Sequence, residues 1–181
     1  MANRTYLMNH ESGAPRTAAE IENTCLLGAN YQLPILWLAL FDQDDITTVP
    51  VACTNGAGDQ IVENIPTLFT STVKAKATYA SRRTALAQAL GVECAPYIAE
   101  WESFISSNIS APSVQVDLVE LWMMYDNPPD FAVDIREWLS GVSAPVGAQW
   151  NSLCSQASFG DAAVRRYGIR GFPWQAKLAW S

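Results

Sequence analysis

The stretch SVQVDLVELWMMYDNPPDFAVDIREWL, residues 113–139, carries two periodicities in succession, and together they decide the fold class. In its first residues Val114, Val116 and Leu118 alternate with Gln115 and Asp117, the period-two pattern of a strand over 113–119. From Asn127 the period changes. Asn127 and Pro128 have the chemistry of a helix cap and first helical residue. Phe131, Ile135, Trp138 and Leu139 then fall along one helical face, Asp130 sits in the first turn where the helix dipole favours a carboxylate, and Gly141 marks the end. Between the two, Glu120 to Tyr125 fits either a longer strand or a helix. A strand beside an amphipathic helix, in a chain of 181 residues, predicts a single α+β domain over 1–181.

Working toward the N-terminus, Tyr97, Ile98, Trp101, Phe104 and Ile105 form an apolar stripe that predicts a helix over 95–107, with Pro96 in its first turn. A longer helix is expected over 67–90, capped by Thr67 and closed by Gly91. Its buried side would carry Phe69, Val73, Lys76 or Ala77, Ala80, Thr84 and Ala87, with Leu86 and Leu90 adjoining and with Lys74, Arg82 and Arg83 on the wetter side. Residues 42–66 read as irregular, with turn residues from Asn55 to Asp59. The apolar run from Leu33 to Phe41 reads as a buried helix capped by Asn30, with Pro34 in its first turn. It is too short to cross a bilayer, which takes about 20 residues. Thr17 and Glu20 have capping-box spacing, so a short helix is expected over 17–26. Alternation over Arg4 to Met8 predicts a first strand, followed by a polar loop over 9–16.

Toward the C-terminus, 142–171 reads as loops with a short helix near 161–167. Trp174, Ala176, Leu178 and Trp180 share one face of a last strand, expected to pair with the first strand or with 113–119. The sum is a small mixed or antiparallel sheet with three or four packed helices.

Apolar residues at 49% and charged residues at 16% exclude a disordered chain. The charge of −7 is uneven: residues 17–73 hold seven acids and no Lys or Arg, and residues 84–164 hold ten acids and Arg136 alone. Such a surface excludes nucleic acid and anionic membrane as partners, both of which need a basic footprint, and favours a basic protein. The basic segment from Arg165 to Phe172 then reads as counter-charge to the acidic middle of the chain. Met1-Ala2-Asn3-Arg4 leads into a mixed segment rather than a basic and then apolar leader, so a cytoplasmic location is expected. Cys25, Cys53, Cys94 and Cys154 lack metal or redox spacing and read as reduced thiols.

Catalytic apparatus is sparse. His10, the one histidine, falls in the polar loop and reads as solvated, although any Ser–His–Asp or Cys–His mechanism would need it. Asp42, Asp44 and Asp45 resemble part of a calcium loop whose glycine and terminal Glu are missing. Asp130 and Asp134 share a helix face but read as solvated acids. No cofactor and no metal is therefore expected.

The opening Met1 to Leu7 and the segment Asn30 to Asp42 resemble a loosely defined set of uncharacterised bacterial proteins. In size and charge the chain is similar to the immunity proteins that bacteria pair with secreted toxins. That likeness implies occlusion of a toxin or effector by direct binding. The acids expected to meet a basic partner are Asp42, Asp44, Asp45, Asp126 and Asp130, with exposed aromatic residues as anchors. The alternatives are a small-molecule-binding or enzymatic domain with a Trp-lined pocket, and a structural subunit of a homo-oligomer.

Overall fold

The computed structural model describes residues 4–54, 56–156 and 168–173. In chain order the elements are β1 (Arg4–His10), β2 (Cys25–Asn30), α1 (Ile35–Leu38), β3 (Ile46–Thr54), β4 (Gln60–Ser71), α2 (Thr72–Leu90), α3 (Ala95–Asn108), β5 (Ser113–Asp117), α4 (Val119–Trp122), α5 (Pro128–Ser143), α6 (Gly147–Gln156) and β6 (Phe172–Pro173). Short 3-10 turns cover Glu22–Thr24, Gln43–Asp45 and Val92–Cys94. The strands form one sheet in the order β3-β4-β5-β1-β2-β6, and every neighbouring pair is antiparallel. This is the α+β domain expected, with four helices of ten residues or more. None is long and apolar enough to cross a membrane among the described residues.

The two faces of the sheet differ. Leu7, Leu27, Leu68, Val114 and Val116 join the main core, which α1, α2, α3, α5 and α6 cover. The opposite side chains of β1 and β5 are Tyr6, Met8 and His10, then Ser113, Gln115 and Asp117, paired across the ladder. Every residue of β5 is buried, polar ones included. The segment after β1 covers this second face as a strap. Arg16 N–H donates to Gln115 Oε1 at 2.9 Å, Gln115 Nε2 donates to the Arg16 carbonyl at 2.5 Å, and Ala18 N–H donates to Asp117 Oδ2 at 2.5 Å. Ala18 and Ile21 close a small apolar cluster with Tyr6, Met8 and Cys25.

Several local expectations are corrected. Residues 17–26 are not a helix. Thr17 N–H does donate to Glu20 Oε2 at 2.8 Å, but only turns follow before β2 begins at Cys25. Asn30 ends β2 instead of capping a helix, and the apolar run folds as a single turn, Ile35–Leu38, behind Pro34. Every residue from Leu33 to Phe41 is buried, so the run has no wet side to give it a helical stripe. Trp37 sits at its centre, its Nε1 donating to the Arg170 carbonyl at 2.9 Å. Gly171 has φ +75°, and a Cβ there would come within 2.5 Å of the Trp37 ring.

Residues 46–71, expected to be largely irregular, are the β3–β4 hairpin, rich in β-branched Ile46, Thr47, Thr48, Val49, Ile61 and Val62. Pro50 opposite Asn64 and Pro66 opposite Thr48 share one parity of its register. A proline fits such a ladder where its nitrogen faces out of the ribbon, so no bond between the two strands is lost. Thr67 lies inside β4, its Oγ1 donating to the Val116 carbonyl at 2.6 Å. The helix starts at Thr72, with Ser71 Oγ accepting from Lys74 N–H at 3.2 Å. Its buried side is Thr72, Ala75, Thr78, Tyr79, Arg82, Leu86 and Leu90, so of the expected side only the adjoining Leu86 and Leu90 are buried, and Val73 is 81% exposed. Within Glu120 to Tyr125 the first three residues are helical as part of α4, and turns follow. Gly141 does not end α5. A Cβ there would lie 3.2 Å from the Gln149 backbone, so the glycine lets α6 approach. Part of the expected loop 142–171 is α6. The described stretch Phe172–Pro173 pairs with β2; the helix expected near 161–167 and the strand over 174–180 lie outside the described residues.

Candidate functional site

The five acids singled out from the sequence fall into two groups. Asp42, Asp44 and Asp45 cluster at the turn after α1 and face α2. Asp42 Oδ1 accepts from Arg82 Nη2, and Asp42 Oδ2 accepts from Thr78 Oγ1 at 3.4 Å. The buried Asp45 accepts from Asp42 N–H at 2.7 Å and from Lys74 Nζ at 2.7 Å. Asp44 is exposed. Arg82, expected on the wet side, is buried; it also donates to the Phe41 carbonyl at 2.6 Å and to Ser143 Oγ at 2.7 Å. Burial pulls its pKa down, against the attraction of Asp42. Lys74 is held above its ordinary value, first by its bond to Asp45. The acids that follow α1 are therefore answered by cations of the chain's own helix.

Asp126 and Asp130 are exposed and take part in no ion pair or side-chain hydrogen bond among the described residues. They adjoin a cleft of about 300 Å³ lined by Tyr31, Gln32, Leu33, Leu121, Met124, Tyr125, Trp138 and Leu153. The loop after β2 supplies Tyr31, the end of α4 supplies Met124, α5 supplies Trp138 and α6 supplies Leu153. Tyr31 is 54% exposed and has φ 59°, a left-handed backbone that bulky residues rarely adopt. Met123 and Met124 are exposed as well, at 59% and 45%. Tyr125 packs edge-on against Phe131 and donates from its hydroxyl to Asp134 Oδ2 at 2.6 Å. Its pKa is raised, first by burial, then by Asp134 and Asp130. Asp130 and Asp134, one helical turn apart, thus both act on the cleft's tyrosine.

His10 is corrected from a solvated loop residue to the buried end of β1, 3% exposed. Its Nε2 lies 3.2 Å from Gln115 Oε1, Phe69 packs beside the ring, and Nδ1 has no partner among the described residues. Burial holds its pKa below the ordinary value, favouring the neutral ring. Along the same face the buried Asp117 carboxyl is raised by burial, against the N–H groups of Val119 and Ala18 that it accepts. Tyr6, bonded to Glu120 at 3.1 Å, is pushed up to about 12 by burial first. These groups lie beneath the strap and hold it in place.

Of the basic C-terminal segment, Arg170 pairs with Glu100 at 2.9 Å, as counter-charge was expected to; Arg165, Arg166 and Lys177 lie outside the described residues. No group of His, Cys, Asp and Glu among the described residues is arranged to hold a metal ion. Sequence reasoning missed the cleft itself, whose walls come from four separated stretches. The one local signal was the apolar Leu121-Trp122-Met123-Met124-Tyr125 run ending on Asp126. No family model, curated protein or solved structure matches the chain.

Proposed function

We propose that the chain is a non-catalytic binding protein that docks a basic protein surface across the Tyr31–Met124 cleft and its acidic rim. In this reading it is a cytoplasmic immunity protein that neutralises a toxin or effector domain by occlusion. One observation carries the reading: exposed Tyr31 and Met124 line a concave cleft together with Tyr125, and the exposed Asp126 and Asp130 near Tyr125 have no cationic partners among the described residues. Unanswered carboxylates steer a basic partner and speed encounter. Tyrosine and methionine around a concavity supply the apolar anchors that hold it. The inward position of His10 adds support, because the general base that a Ser or Cys mechanism needs is kept from solvent.

The test uses the whole protein as bait in extracts of its own organism. Wild type is expected to recover one partner stoichiometrically, and the Asp126→Lys/Asp130→Lys variant to lose it while unfolding at an unchanged temperature. The recovered partner should arrest growth when expressed alone and not when co-expressed. Failure to recover any stoichiometric partner, or equal recovery by the variant, overturns the reading. A second reading, a small-molecule site, draws on the cleft volume, which lies at the low end of the roughly 300–1,000 Å³ typical of ligand pockets.

A further inference from the structure

The cleft has a more specific chemistry than apolar contact. Three of its lining residues are aromatic: Tyr31, Tyr125 and Trp138. Three acids adjoin its lining residue Tyr125: Asp134 accepts from the Tyr125 hydroxyl, Asp130 lies one helical turn before Asp134 and acts on the same hydroxyl, and Asp126 follows Tyr125 in the chain. No Lys or Arg lines it among the described residues. Arg136, the one base between residues 84 and 164, turns its guanidinium back to the Ala132 carbonyl at 3.0 Å. The volume of about 300 Å³ suits one long side chain better than a bulky ligand.

Resting on the binding reading above, we propose that this cleft receives a single arginine side chain projecting from the basic surface of the partner. Aromatic faces attract a cation through their quadrupole, and a planar guanidinium stacks on them better than an ammonium does. The same group offers paired N–H donors to a carboxylate, here Asp130 or Asp134 beside Tyr125. The wall contributes through partial desolvation, which strengthens both attractions over their value in open water. Leu33, Leu121 and Leu153 would bury the methylene stem. The left-handed turn at Tyr31 fixes how the loop presents that ring at the mouth.

The probe is a capped Gly-Arg-Gly-Arg-Gly peptide, titrated into the isotope-labelled protein and followed by backbone amide shifts, with the citrulline peptide as its neutral, near-isosteric control. Saturable shifts are expected at Tyr31, Gln32, Met124, Tyr125 and Trp138, with the citrulline peptide at least about tenfold weaker, the size of one cation–aromatic contact plus one partly exposed ion pair. Asp130→Asn/Asp134→Asn should weaken the arginine peptide by about two- to fivefold, the ion-pair share of that loss. Met124→Lys, which sets a cation of the chain's own at the mouth, should abolish the shifts with the unfolding temperature preserved. Equal binding of both peptides, or shifts centred elsewhere, overturns the proposal. The partner capture separates this failure from failure of the broader reading: a partner lost with Asp126→Lys/Asp130→Lys but kept with Met124→Lys leaves docking intact and removes the arginine from the cleft.

Discussion

Asp42-Gln43-Asp44-Asp45 and Asp126-Asn127-Pro128-Pro129-Asp130 look alike as sequence: short acidic clusters beside an apolar run, each next to a helix. In the fold they diverge. The first faces α2, whose Arg82 and Lys74 answer two of its three carboxylates, and Asp45 also caps the backbone of its own turn. The second faces no cation among the described residues and borders a cleft. A cluster of like charge is thus a candidate for recognition only once the chain's own counter-ions are subtracted, and those counter-ions lay some 30 to 40 residues away in sequence.

The sharpest way to break this contrast is Arg82→Ala. It strips the donor from the Ala39 and Phe41 carbonyls, Ser143 and Asp42 at once, and should lower unfolding free energy by about 2–4 kcal/mol, as for loss of a mostly buried charged donor. Denaturant titration reads it; a loss below about 0.5 kcal/mol, the range of an ordinary surface change, would return Asp42 to the pool of free surface acids. Asp45→Asn removes the charge but keeps a capping oxygen, so a loss of about 1 kcal/mol is expected. Asp126→Asn with Asp130→Asn should change stability by less than about 0.5 kcal/mol, yet slow partner association and flatten its salt dependence in stopped-flow measurements. An acid titration keeps these effects apart from the histidine. His10 is held below 6.5 in the fold, so the unfolded chain takes up its proton first; the stability it contributes is present above pH 6.5 and is lost as pH falls through the folded value. That loss should vanish in His10→Gln and persist in the acid-to-amide variants.

The elements with a period in side-chain type were the legible ones. α3 and α5 showed their period because neighbours cover a single face, β1 and β5 showed theirs because side-chain type alternates although both of their faces are buried, and the Asn127–Pro128 start and Gly91 stop were read from helix-end residue preferences. Where an apolar run is wholly buried or the covering group is distant, the pattern failed. Leu33 to Phe41 is dry on all sides, so a single turn was mistaken for a longer helix. His10, Gln115 and Asp117 read as wet because polar residues usually are, but a strap some 100 residues away in sequence satisfies Gln115 and Asp117 with its backbone. Arg82 misled for the same reason, and the face of α2 was misassigned with it. Of the candidate site, Asp126 and Asp130 were visible as acids. The cleft was not, since Tyr31, Met124, Trp138 and Leu153 become neighbours only through the packing of α4, α5 and α6 beside the β2–α1 loop.

The two prolines of the β3–β4 hairpin bear on crowding inside a cell. β3 is the outer strand of the sheet, nine residues long, and an uncovered strand of that length invites another chain to continue the hydrogen-bonded array. Pro50 removes a donor near the middle of that outward row, and Pro66 does the same on the other margin of the ribbon, beyond the point where β5 stops. Copy-on-copy growth from this edge of the sheet is frustrated by the missing donors.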